Sequence, residues 1–151
     1  MIDFARTVAA HAPGQDRLTR LCTLFRFVSA LSEAHLRPDP PRDAVDVLLD
    51  RLGEQRGPAV LLSALLLALG EHAELECTRE MAFVRVAVVP EDLRRLPPHA
   101  APMRSAGRVY LFLDPRSKSP FAFLPAPVRE ALAVRHRSGP GLRRLPPAWS
   151  A

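Results

Sequence analysis

The segment RLGEQRGPAVLLSALLLALGEHAEL, residues 51–75, determines the fold that we predict for this chain. It reads as a Gly-containing turn followed by an apolar helix over residues 58–69. Pro58 suits the first helical position, because the N–H that proline lacks has no partner there. Gly70 predicts the end of the helix. Since the helix carries apolar side chains on nearly all sides, we expect it to be the buried central helix of the domain.

Two further helices are predicted before the central helix and one near the C-terminus. Residues 16–36 place apolar side chains at helical spacing, and Asp16 is positioned to cap the first turn. A Pro-rich break then separates this segment from a short helix over residues 43–52. The last predicted helix covers residues 125–137. Most of the predicted helical structure therefore lies in the first half of the chain.

Three strands are predicted after the central helix. Residues 72–80 and 81–89 alternate apolar and polar side chains, and residues 107–115 are rich in β-branched and aromatic side chains. In the second of these segments the alternation predicts that Arg85 faces solvent. A polar, Pro-rich loop over residues 90–106 is expected between the second and third strands. Helices followed by antiparallel strands indicate the α+β class, with N-terminal helices packed on a small antiparallel sheet.

The composition indicates one globular domain with a basic C-terminal half. The chain has 151 residues, of which 48% are hydrophobic and 25% charged, and its net charge is +5. We assign residues 1–137 to a single domain and the Arg- and Pro-rich residues 138–151 to a C-terminal tail. Cys22 and Cys77 form no CxxC pair and are predicted to be buried thiols. Without a signal-peptide pattern or an apolar run that could span a bilayer, we expect a cytoplasmic location and no membrane contact.

The order of these motifs resembles the transglutaminase-like superfamily of papain-like cysteine peptidases. The segment from Pro38 to Leu75, PDPPRDAVDVLLDRLGEQRGPAVLLSALLLALGEHAEL, is similar to the approach to the nucleophile turn and the central helix of that family. REMAFVRVAVV, residues 79–89, is similar to the strand that begins at the family's histidine. GRVYLFLDPRS, residues 107–117, is similar to the strand that ends in Asp-Pro. The resemblance implies a transglutaminase-like fold.

The same resemblance implies that the catalytic chemistry of the family has been lost. In the family a thiolate attacks an amide carbonyl, a histidine transfers its proton, and an aspartate orients the imidazole. Here Gln55 stands at the cysteine position, Met81 at the histidine position and Asp114 at the aspartate position. An amide is not a nucleophile, and a thioether has no proton to transfer. We therefore expect no enzyme activity, and a shift of register would not restore it, because no histidine lies between His72 and His99.

Asp114 is open to a second interpretation. An Asp-Pro pair often begins a turn, so its carboxylate is expected to cap the turn that follows, or to pair with Arg56 or Arg116. Neither a metal site nor a cofactor site is predicted, since the chain has no HxxxH, HxH or CxxC motif. All five histidines are interpreted as solvated surface side chains: His11, His35, His72, His99 and His136.

An inactive domain of this kind is expected to act as a protein-protein interaction or adaptor module in a cytoplasmic bacterial complex. The hexapeptide LRRLPP occurs twice, at residues 93–98 and 142–147, and a single tryptophan lies near the C-terminus. The predicted partner-binding residues are Arg94, Arg95, Arg143, Arg144 and Trp149. The alternative is a nucleic-acid-binding module, in which phosphates contact the basic residues of the C-terminal half. Those residues are Arg94, Arg95, Arg104, Arg108, Arg116, Lys118, Arg135, Arg137, Arg143 and Arg144.

Overall fold

The fold was derived from a computed structural model, which describes residues 2–11, 16–35, 56–78, 81–116 and 120–137. Within these residues the chain forms five helices and four strands, which confirms the predicted α+β class. The helices are α1 (Ile2–Ala10), α2 (Arg17–His35), α3 (Gly57–Ala68), α4 (Pro90–Leu93) and α5 (Ala126–Arg137). The strands are β1 (Ala73–Cys77), β2 (Ala82–Ala87), β3 (Met103–Ser105) and β4 (Arg108–Leu113). The predicted helix over residues 43–52 and the tail over residues 138–151 lie outside the described residues.

Helix α2 begins where its sequence predicts. The carboxylate of Asp16 accepts a hydrogen bond from the Thr19 backbone N–H at 3.0 Å, so one of the free donors of the first turn is satisfied. Helix α1 was not predicted from the sequence. It packs against α2, with the Phe4 and Phe27 rings in an edge-to-face contact at 5.7 Å.

Helix α3 is the predicted central helix, and Gly70 ends it. Gly70 has φ +80°, a conformation that strains residues with a Cβ atom. Its N–H donates to the Leu67 carbonyl at 2.9 Å, and the Glu71 N–H donates to the Leu66 carbonyl at 3.0 Å. This pair of bonds is a Schellman motif, which satisfies the last carbonyls of the helix. The prediction that α3 is buried was wrong at Leu67, which is 55% exposed.

The four strands form one antiparallel sheet in the order β1-β2-β4-β3. The segment predicted as a loop between the second and third strands contains helix α4 and strand β3 instead. Strand β3 joins β4 through a two-residue turn in which Ala106 and Gly107 have φ 48° and 77°. Positive φ at both central residues is characteristic of the type I′ hairpin. The strand was missed because its three residues are too few to show alternation.

Both faces of the sheet are covered, which corrects the prediction for Arg85. Alternate residues of β2, such as Val84, pack with helices α2 and α3 in the larger hydrophobic cluster. Phe83 belongs to a second cluster on the opposite face, beneath α5. Arg85 also lies on that second face and is only 7% exposed. Its guanidinium pairs with Glu74 and lies 4.5 Å from the centroid of the Tyr110 ring, so its charge is paired inside the protein, although its Nε has no hydrogen-bond partner.

Alternation along a strand indicates which residues share a face, but it does not indicate whether that face is exposed to solvent or covered by a helix. Cys22 and Cys77 also differ from the prediction, since both are half-buried at the edge of the larger cluster. No helix in the described segments is long and apolar enough to cross a membrane.

Candidate functional site

Two of the three positions that the resemblance makes catalytic lie at one end of the sheet. Strands β2 and β4 are antiparallel, with Val84 opposite Leu113, so the start of β2 adjoins the end of β4. Met81 directly precedes β2, and Asp114 directly follows β4. Gln55 lies outside the described residues. The side chains of Met81 and Asp114 therefore decide what chemistry this described end of the sheet offers.

Asp114 is engaged in a turn. The residue is 8% exposed, and its Oδ1 accepts hydrogen bonds from the Arg116 backbone N–H at 3.1 Å and from Arg116 Nε at 3.2 Å. This geometry confirms the turn and the ion pair with Arg116. Arg56, the other predicted partner, is exposed at the start of α3. The carboxylate is thus neutralised locally by the arginine two residues along the chain.

Met81 is held by its backbone. Its N–H donates to Thr78 Oγ1 at 2.9 Å, and its carbonyl accepts from the Thr78 N–H at 2.7 Å. Its side chain packs in the second cluster, on the face of the sheet opposite α3. A thioether in an apolar cluster neither donates nor accepts a proton, so this end of the sheet holds a packed methionine and a paired aspartate.

A second group of polar side chains joins α5 to the sheet, and it includes His136. His136 Nε2 lies 3.0 Å from both carboxylate oxygens of Glu76, and Nδ1 lies 3.2 Å from Ser105 Oγ. The imidazole also contacts the Phe112 ring edge-on at 5.6 Å, and its side chain is 15% exposed. The prediction that every histidine is a surface side chain was therefore wrong for His136. Its partners are distant in the sequence, and only the packing of α5 on the sheet brings them together.

The serine, imidazole and carboxylate are arranged in the order of a hydrolase triad. A nucleophile must also reach its substrate, however, and Ser105 is not part of the described lining of the neighbouring groove, whereas His136 is. Arg135 also approaches Glu76, with 3.7 Å between Nε and Oε1, and donates to the Cys77 carbonyl at 2.9 Å. These contacts attach the end of α5 to β1. We therefore interpret the group as a polar attachment of the helix rather than a catalytic centre.

The groove lies between β3 and α5 and has a volume of about 640 Å³. Its lining combines apolar side chains with both signs of charge. The residues that line it are Met103, Arg104, Arg129, Glu130, Ala133, Val134 and His136. No residue of this groove was predicted as a partner-binding residue, although Arg104 was among the basic residues proposed to contact nucleic acid.

The two predicted partner-binding arginines that the structure describes, Arg94 and Arg95, lie outside the groove. Arg94 is exposed just after α4, and Arg95 pairs with Asp16 at 3.3 Å while remaining 58% exposed. The predicted contacts Arg143, Arg144 and Trp149 lie outside the described residues. Of this group, the structure describes Arg94 and Arg95, and neither lies in the lining of the groove.

Among the described residues, neither the Cys22 thiol nor a group of metal-binding side chains forms a site. Burial raises the pKa of the Cys22 thiol, against the smaller lowering effect of Arg26, so the thiolate is disfavoured. Within the part of the chain that the structure describes, no three His, Cys, Asp or Glu side chains are grouped so that they could hold a metal ion.

Comparisons of the chain with protein-family models, with curated proteins and with solved structures found no match.

Proposed function

We propose that this chain is a non-catalytic, transglutaminase-like domain that acts as a protein-binding adaptor in a cytoplasmic bacterial complex. One observation carries the proposal. At the end of the sheet where the resemblance places the histidine and the aspartate, Met81 packs in a hydrophobic cluster and Asp114 is neutralised by Arg116. Neither side chain can activate a nucleophile.

The alternative, nucleic-acid binding, has less support from the charges. Several arginines of the basic half already have partners, since Arg95, Arg116 and Arg135 pair with carboxylates. Aromatic side chains on which bases could stack are also absent from the described lining of the groove. The arrangement of charge and apolar surface is closer to that of a protein-binding face.

The test is affinity purification of the tagged full-length protein from its native cells, at low and moderate salt, with and without nuclease. We expect a defined protein partner that survives both nuclease and moderate salt. Recovery of nucleic acid, with all partners lost after nuclease treatment or at raised salt, would replace this proposal with the nucleic-acid alternative.

A parallel assay addresses catalysis. The purified protein should show no transglutaminase, deamidase or peptidase activity. A fluorophosphonate probe, which acylates activated serines, should not label Ser105. Labelling that disappears in Ser105→Ala but not in Ser63→Ala would show that the contact with His136 activates the serine, and the domain would then have to be regarded as an enzyme.

A further inference from the structure

We draw no further inference here: the strongest candidate, the groove between β3 and α5, is lined by apolar side chains and by charges of both signs, and nothing in the described part of the chain shows what occupies it.

Discussion

The contact between Glu76 and His136 should make a measurable contribution to the free energy of unfolding. Glu76 is 9% exposed, and both of its oxygens lie 3.0 Å from His136 Nε2. A hydrogen bond to a charged group contributes roughly 1.5–3 kcal/mol. Because the imidazole is 15% exposed, we expect Glu76→Ala to cost about 2 kcal/mol, in the lower part of that range. Glu76→Gln keeps one acceptor and should cost about half as much.

The assay is urea unfolding followed by circular dichroism, with the slope of the transition unchanged between variants. The matched control is Glu130→Ala, which removes an exposed carboxylate from α5 and should change the free energy of unfolding by less than about 0.5 kcal/mol. Hydrogen exchange should accelerate selectively in α5, since the contact attaches that helix to β1. If Glu76→Ala and Glu130→Ala are equally stable, the polar group does not hold α5, and the reasoning that defines the groove fails.

Three further predictions concern the scaffold and its thiol. Gly70→Ala should lower the free energy of unfolding by about 1 kcal/mol, because the new Cβ meets no atom within 4 Å and the cost is only that of positive φ. Gly70→Asn should cost less, since asparagine adopts positive φ more readily. Urea unfolding measures both variants, and a Gly70→Ala protein as stable as the wild type would contradict the Schellman geometry. Hydrogen bonds from the Thr19 side chain and backbone lower the pKa of Asp16 from 3.8 to about 2, so its contribution to stability is complete above pH 3.8 and is lost as the pH falls through about 2. Asp16→Ala should therefore destabilise the protein at neutral pH, and its stability should fall less than that of the wild type in that acidic window. Thermal melts at a series of pH values check this prediction. Parallel pH profiles of the two proteins would contradict it. Burial raises the pKa of the Cys22 thiol, so iodoacetamide at neutral pH should alkylate it more slowly in the folded protein than in the urea-unfolded protein. Peptide mass spectrometry follows the reaction, and equal rates would show that the thiol is not protected.

Local signals in the sequence were sufficient where the structure depends on neighbouring residues. The start of α2 follows from the short side chain of Asp16, and the end of α3 follows from the freedom of Gly70 to adopt positive φ. Alternation correctly identified β1 and β2, and the β-branched and aromatic composition of its segment correctly identified β4. The turn at Asp114 was also predictable, because its partner, Arg116, is only two residues away.

The groove and its polar attachment could not be predicted in this way. His136 and Glu76 are separated by 60 residues, and nothing in either segment indicates that they meet. The sequence predicts that Arg85 is a surface residue, because β2 alternates apolar and polar side chains like a strand with one solvent-exposed face. In the structure Arg85 is buried, because the second face of the sheet is covered as well. Strand β3 is too short to be recognised without its hairpin partner.

The sequence by itself determined the class of the fold, the central helix with its glycine stop, and the absence of cysteine and histidine from the positions that the resemblance makes catalytic. Tertiary structure alone decided which polar residues are buried and which surface is open for binding. The physical reason is that caps, turns and alternation are encoded within a few residues, whereas burial and charge pairing depend on which elements pack together. Ser105, His136 and Glu76 come into contact only when α5 packs on the sheet.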